Sequence, residues 1–227
     1  MCGIAGYLSS RHEPDAAVAE RMANAIFHRG PDSAGVWIDQ ASGIALSHRR
    51  LAIIDLSPAG QQPMASASGR WMLVFNGEIY NHLALRAELE AAGSAPEWRG
   101  HSDTETLLAA LDAWGLETAL KKCNGMFAFA GWDRASQALY LARDRVGEKP
   151  LFYGKAGKDV VFGSELKALK KHPQFASHIN TDALALFLRY AYVPDPCCIY
   201  HGINKLAPAH WVRITQDGIE PPVHYWD

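Results

Sequence analysis

Short apolar segments dominate the hydrophobic pattern of the chain, and most of them have the character of β-strands. Clusters of Gly, Asp, Asn and Pro separate them, which favours the turns that antiparallel strands require. Two segments, WMLVF and MFAFAGW, are apolar almost throughout, which is typical of strands covered on both faces. The predicted strands are residues 3–8, 44–54, 71–75, 126–132, 138–142 and 160–162.

Four other segments have apolar residues at helical spacing. They begin near Asp15, after Asn81, after Ser102 and near residue 181, and the third carries the S-x-x-E capping box formed by Ser102 and Glu105. Gly93 is placed to end the second. The positions predicted to face inward are 18, 22, 25 and 26; 85, 89 and 92; 107, 108, 111 and 114; and 184, 187 and 188.

Strand-rich blocks with interspersed helices predict an α+β fold in which helices cover the faces of sheets. The last thirty or so residues differ, because five prolines break them into short extended pieces. We therefore predict a domain over residues 1–192 and a Pro-rich appendage or linker over residues 193–227, leading towards a further domain.

Composition narrows the classes of function. The 227 residues are 48% hydrophobic and 20% charged with a formal net charge of -2, which argues against a nucleic-acid partner. No apolar run reaches the roughly 18–20 residues of a membrane span, and no signal peptide is evident, so a cytoplasmic location without membrane contact is expected. The four cysteines and ten histidines show neither a disulfide framework nor metal-ligand spacing, so no metal site is expected.

Cys2 is the first candidate for chemistry. If Met1 is removed, Cys2 becomes the N-terminal residue and carries its own general base, the α-amine. Reference pKa values of about 8.5 for a thiol and about 7.7–8.0 for an α-amine allow proton transfer near neutral pH. Taken alone, the MCG motif fits a small cysteine in a buried strand better than a nucleophile.

Three further motifs stand out, and two of them offer groups that could bind a substrate. HRGPDSAG, residues 28–35, reads as a loop, and SHRRLAIID places Arg49 and Arg50 on opposite faces of a strand, where one could form a fork for a carboxylate. A solvated pair on an edge strand explains the two arginines equally well. NGEIYN offers the side-chain amide of Asn76 and the backbone N–H of Gly77 as an oxyanion hole, although Asn-Gly after a strand is usually a hairpin turn.

The combination of motifs is specific. MCGIAGY, HRGPDSAG, HRRLAIID, NGEIYN, SDTE, GMFAFAGWD, RDRVGEKPLFY and SELKAL occur in the order expected of class II glutamine amidotransferase domains. The chain most resembles the glutaminase domain of asparagine synthetase (glutamine-hydrolysing), over essentially its whole length. The resemblance implies the N-terminal nucleophile hydrolase fold, a four-layer αββα sandwich with two antiparallel sheets. One departure is Ala209, where the family usually has glycine.

The resemblance also implies roles for individual residues. Cys2 would be the nucleophile, with Asn76 and the Gly77 N–H as oxyanion hole. Arg50 would bind the α-carboxylate of glutamine and Asp103 its α-amine. Arg29 and Asp32 would be local scaffold. Apart from the resemblance, the position of Lys149 between two strand-like segments favours a structural role over that of a phosphate ligand. The rest of the pocket is expected to be Leu51, Ile53, Ile54 and Glu78.

The implied activity is hydrolysis of L-glutamine to glutamate and ammonia through a γ-glutamyl thioester on Cys2. Ammonia would pass to an ATP-dependent amidating domain that this sequence does not contain, since no phosphate-binding loop is present. Cofactors are therefore not expected here, and ATP and Mg belong to the synthetase domain. Two alternatives remain, an amidotransferase for a sugar in polysaccharide or O-antigen biosynthesis and a catalytically silent glutamine-binding or interface module. A second copy of the chain, in a homodimer, is a further candidate partner.

Overall fold

The computed structural model describes residues 1–11, 13–53, 55 and 57–227. Within them the chain forms six α-helices: α1 Ala16–Asn24, α2 His82–Ala91, α3 Asp103–Trp114, α4 Leu116–Lys122, α5 Leu166–Leu169 and α6 Thr181–Tyr190. Nine strands precede α5: β1 Gly3–Leu8, β2 Ser33–Asp39, β3 Ile44–Arg50, β4 Met64–Ala65, β5 Trp71–Ile79, β6 Gly125–Asp133, β7 Ala138–Arg143, β8 Phe152–Ala156 and β9 Asp159–Gly163. Four follow α6: β10 Ile203–Lys205, β11 His210–Thr215, β12 Gly218–Ile219 and β13 Val223–His224.

Two antiparallel sheets are stacked face to face. The first has the strand order β10-β8-β9-β1-β3-β2, and the second β12-β11-β7-β6-β5-β4, with β13 paired to β11. One buried cluster lies between them, because it joins Ile4 and Leu46 of the first sheet to Val74 and Ala130 of the second. The predicted α+β class is thereby confirmed, and the inner faces supply the main core.

Helices cover both outer faces. Met22 and Ile26, at the end of α1, pack with buried residues of the first sheet, while Leu107 and Leu111 of α3 pack against Phe129 of the second. The α3 and α4 helices share this second outer core. The layers therefore run helix, sheet, sheet, helix, and the expected four-layer αββα sandwich is confirmed.

The helix ends follow the sequence signals only in part. Asp15 and Ser102 cap α1 and α3, accepting hydrogen bonds from the backbone nitrogens of Ala17 and Glu105. The predicted cap by Asn81 is wrong, because its side chain instead bonds the backbone of residues 122 and 124, at 2.9 Å each. A contact with the α4–β6 turn has replaced the local cap.

The apolar face of α6 was predicted to be buried, and this prediction is wrong. Leu184, Phe187 and Leu188 are 39%, 46% and 77% exposed, and Ala183 is the buried residue of the helix. The helix therefore packs on the domain through Ala183 and the half-buried Leu186 and leaves its other large apolar side chains exposed. Helical periodicity reports that a helix has an apolar face, but not what covers it.

Residues 193–227 were predicted to form an appendage, and their packing differs from that description. β10 pairs with β8 and extends the first sheet, while β11 pairs with β7 and extends the second. Leu206, Val212 and Ile214 are fully buried between the sheets. Ala209 has φ 58°, in the left-handed region that favours glycine, so this turn is formed by a residue with a Cβ.

Candidate active site

One cavity contains nearly all of the residues predicted from sequence. Its walls include the following: Cys2, Arg50, Leu51, Ile53, Asn76, Gly77, Glu78 and Asp103. They come from the residue before β1, the end of β3 and the turn after it, the end of β5, and the first turn of α3. The remaining predicted residue, Ile54, lies outside the described residues. The fold thus brings together groups that are up to a hundred positions apart in sequence.

The Cys2 thiol is held by backbone on the edge of the cavity. Its Sγ lies 3.4 Å from the nitrogen of Leu51, which donates to it, and 3.6 Å from the oxygen of the same residue. Burial raises the pKa of the thiol, and the Leu51 hydrogen bond only partly opposes this. The cavity therefore favours the neutral thiol, so that a nucleophilic Cys2 needs a base beside it.

The two arginines of β3 take different positions, as strand alternation predicts. Arg50 lines the cavity, where its guanidinium donates to the backbone oxygens of Asp55 and Ser57. Arg49 is turned away from it, with its Nε 3.1 Å from the Gly30 oxygen. Only Arg50 is thus placed where a planar fork could receive a carboxylate.

Asn76 and Gly77 lie inside β5, which runs to Ile79 rather than ending at residue 75. The alternative of a hairpin turn is therefore excluded. Asn76 is 1% exposed, and neither its Nδ2 nor its Oδ1 has a hydrogen-bond partner among the described residues. Burying an amide without hydrogen-bond partners costs free energy. Such a group is typical of a site in which a ligand supplies the missing partners. At Gly77 a Cβ would come within 2.1 Å of the Met126 oxygen, so a side chain is excluded there.

Asp103 places a carboxylate in the first turn of α3, facing the same cavity. Its oxygens accept hydrogen bonds from the backbone nitrogens of Ile79, at 2.8 Å, and Thr104, at 3.0 Å. Burial raises its pKa, and these hydrogen bonds oppose the effect. The result is a rigid acidic group in a partly desolvated place, suited to a ligand ammonium.

The loop motif HRGPDSAG has a second role that sequence reasoning missed. The Arg29 Nε donates to the backbone oxygen of Cys2 at 3.0 Å, so this arginine touches the residue that carries the thiol. Asp32 accepts from the Ala52 nitrogen at 2.8 Å and secures the turn behind the cavity. The local turn motif could not predict either contact, because each partner lies more than 19 residues away.

Gln62 and Lys149 also line the cavity, and the sequence argument assigned neither to it. Gln62 accepts from the Phe75 nitrogen at 2.6 Å and donates to the Thr104 hydroxyl at 3.2 Å, which ties β5 to α3. Lys149 is 6% exposed, and its Nζ lies 3.6 Å from the sulfur of Met1. A single glutamine or lysine in a turn-rich segment carries no signal of this kind.

Two further features are absent from the part of the chain that the structure describes. No cluster of three His, Cys, Asp or Glu residues in that part is arranged to hold a metal ion. None of its helices is both long and apolar enough to cross a membrane.

Comparison with known proteins gives consistent matches. The family model described as a glutamine amidotransferase domain matches residues 1–226. Asparagine synthetase [glutamine-hydrolyzing] 3 of Bacillus subtilis (strain 168) is 35% identical over an alignment of 232 residues, which covers 100% of this chain and 37% of that protein. Asparagine synthetase [glutamine-hydrolyzing] 1 of the same organism is 38% identical over 222 residues, covering 96% of this chain and 34% of that protein.

A solved structure extends the comparison to the fold. Glutamine phosphoribosylpyrophosphate amidotransferase from B. subtilis superposes with a TM-score of 0.71 at 20% identity, over 99% of this chain and 49% of that one. The expected N-terminal nucleophile hydrolase fold is thereby confirmed. This chain spans about a third of the length of the two asparagine synthetases. From residue 1 to 226, it belongs to the family of glutamine amidotransferase domains.

Proposed function

We propose that this chain hydrolyses L-glutamine to glutamate and ammonia, with Cys2 as the nucleophile. The observation that carries the proposal is the pairing of a backbone-held thiol with a buried, unpartnered Asn76 amide in one cavity of the described chain. An oxyanion hole requires donors that have no other partner before the reaction begins. A cysteine that is merely packed in a strand does not need such a neighbour.

The substrate would be held at its α-carbon end by two charges of opposite sign. Arg50 would bind the α-carboxylate, after exchanging one of its contacts with the backbone oxygens of the turn. Asp103 would bind the α-ammonium, while Glu78, Leu51, Ile53 and, from sequence alone, Ile54 complete the pocket wall. This two-point grip distinguishes a free amino acid from an amide within a peptide, which lacks both charges.

The chemistry begins when Met1 has been removed. The α-amine of Cys2 takes the thiol proton, and the sulfur attacks the side-chain carbonyl carbon of glutamine. The oxyanion of the tetrahedral adduct receives hydrogen bonds from the Asn76 amide and the Gly77 N–H. Collapse breaks the carbon–nitrogen bond, the α-ammonium returns its proton to the leaving nitrogen, and ammonia departs. Water then attacks the γ-glutamyl thioester, releases glutamate and restores the thiol.

We infer further that the ammonia serves an ATP-dependent amidating domain of the kind found in asparagine synthetases. The support is that the two relatives extend well beyond the region they share with this chain. ATP and Mg would be bound by that domain, and no cofactor is required for hydrolysis here. Aspartate is the favoured acceptor of the ammonia because of these relatives, whereas a sugar acceptor would require a different partner domain.

The decisive experiment measures glutamate and ammonia released by the purified chain, after intact mass has shown that Met1 is absent. Equal release of the two products, abolished in Cys2→Ala, is the expected result. Acid quenching during turnover should leave a γ-glutamyl adduct on the protein. If glutamine binds to wild type without any product or adduct, the chain is a silent glutamine-binding module and the proposal is overturned.

A further inference from the structure

A chain of contacts leads from Cys2 to a residue that the proposed chemistry does not use. Arg29 donates from Nε to the Cys2 backbone oxygen at 3.0 Å and from Nη1 to Glu165 at 2.8 Å. Its side chain is 9% exposed and that of Glu165 24%, so both interactions are partly buried. Glu165 lies directly before α5, two residues after the end of β9 and 163 positions from Cys2.

The contact with the Cys2 oxygen matters because a processed Cys2 has no preceding residue to hold it. Its sulfur is held by the Leu51 backbone and its carbonyl group by Arg29. The α-carbon bears four substituents in a fixed chiral arrangement. Once the directions of the carbonyl carbon and the side chain are set, only one direction remains for the α-amine. Arg29 thus helps to fix where the amine points relative to the thiol.

We propose that Glu165 is a positioning residue for glutamine hydrolysis, which holds Arg29 against the Cys2 carbonyl and so directs the α-amine towards the thiol. This inference rests on the proposed function. Glu165 does not touch the reacting atoms. It acts through a rigid, bidentate-capable guanidinium whose two ends are committed to different partners.

The surroundings of Glu165 keep its carboxylate charged and in place. Burial opposes ionisation, but hydrogen bonds from Arg29, Lys167 and His28 outweigh it and lower the pKa to about 2. The Nε2 of His28 lies 2.9 Å from one carboxylate oxygen and the Nζ of Lys167 3.0 Å from the other. The anchor is therefore present across the whole pH range in which Cys2 would work.

The test compares Glu165→Gln with Lys167→Met in the full chain with Met1 removed. Gln keeps the size of the side chain but loses the charge that orients Arg29. A misplaced reacting group can cost roughly 10- to 100-fold in rate, so we expect kcat for glutamine to fall by about 10-fold or more, with KM within about twofold. Lys167→Met removes a half-exposed partner of the same carboxylate but leaves the Arg29 and His28 pairs, which still hold it in place, so its kcat should stay within about twofold of wild type.

A second measurement follows the amine without substrate, through the rate of Cys2 alkylation by iodoacetamide as a function of pH. In Glu165→Gln the rate should fall near neutral pH, where the amine must accept the thiol proton, and match wild type at high pH, where hydroxide can do so. A general loss of structure would lower both limbs. The alkylation measurement also tests the positioning role if wild type proves inactive on glutamine. In that case the proposed function fails, and the positioning role is decided separately from it.

Three results would overturn the positioning role: an unchanged kcat and alkylation profile in Glu165→Gln, a rise confined to KM, or equal losses in the two variants. If Glu165→Gln does not fold, Arg29→Lys replaces it. A lysine keeps the charge but has a single nitrogen, which cannot occupy the positions of both Nε and Nη1, so the same loss of kcat is expected. Full activity of that variant would equally contradict the role.

Discussion

The sulfur of Cys2 lies between the backbone nitrogen and oxygen of Leu51, at 3.4 and 3.6 Å. Leu51 directly follows Arg50, the proposed carboxylate clamp, so one stretch of backbone sets the distance between the nucleophile and the substrate's charged end. The burial that accompanies these contacts also raises the pKa of the thiol. The arrangement therefore positions the nucleophile but does not activate it. Because positioning and activation depend on different groups, the contribution of each group of the site can be tested separately.

Replacing the oxyanion donor should affect turnover rather than binding. We expect Asn76→Ala to lower kcat for glutamine by about 10²–10³-fold, the usual loss on removing one such donor. The Kd for glutamine, measured by calorimetry on a Cys2→Ala background, should change little, because the amide meets the charge that develops only in the transition state. Asn204→Ala, at an exposed position of β10, is the matched control. An unchanged kcat would remove Asn76 from the oxyanion hole.

The two neighbouring arginines should separate substrate binding from stability. Arg50→Met should raise KM for glutamine by roughly 10- to 100-fold, since a hydrogen bond to a charged group contributes about 1.5–3 kcal/mol. Arg49→Met removes the contacts to the Gly30 oxygen and the Phe27 ring, so it should lower Tm while leaving KM near wild type. Steady-state kinetics and thermal unfolding of both proteins give the comparison. The reverse pattern would assign the clamp to Arg49.

The buried His48 should make stability depend on pH. Its Nε2 bonds the Phe75 oxygen at 3.1 Å, and burial lowers its pKa from 6.5 to about 4. Between these values the unfolded chain binds a proton that the folded chain excludes, so stability is complete above about pH 6.5 and is lost as pH falls. The His48 contribution to this loss should reach roughly 2 kcal/mol at pH 5.

The measurement is urea unfolding from pH 8 to pH 5 in wild type and His48→Gln. Glutamine can still donate to the Phe75 oxygen but does not titrate, so the variant should show a shallower loss of stability. His172, whose pKa is also lowered by burial, contributes equally to both proteins and cancels in the difference. Parallel pH dependences would show that folding does not lower the pKa of His48.

Backbone strain at the end of α6 offers a stabilising substitution. Ala191 is exposed and has φ 62°, a left-handed conformation that glycine adopts without a steric penalty. Ala191→Gly should therefore raise the free energy of unfolding by about 0.5–1 kcal/mol, after the entropic cost of glycine is counted. Ala92→Gly is the control, because Ala92 is exposed at the end of α2 with φ -81° and should lose a similar amount. Equal signs for the two variants would refute the strain argument.

The sequence predicted the fold class and eight of the residues that line the cavity, because these depend on local pattern and on motif order. The strand β1 was predicted at its observed bounds, since a continuous apolar run between polar residues determines it. β2 was missed, because its residues are half-exposed and the preceding Gly-Pro-Asp signals a loop. The short strands after residue 200 were missed as well, where prolines obscured an edge pairing.

What the amino-acid sequence determined by itself was which residues could do chemistry: a second-position cysteine, a strand with two arginines, an Asn-Gly pair and an acidic helix start. The tertiary structure alone decided which of them meet. It turned Arg50 into the cavity and Arg49 out of it, left Asn76 without a partner among the described residues, and joined Arg29 to Glu165 across 136 positions. The physical reason is that periodicity encodes the face on which a side chain lies, whereas the partner on that face comes from chain packing at long range.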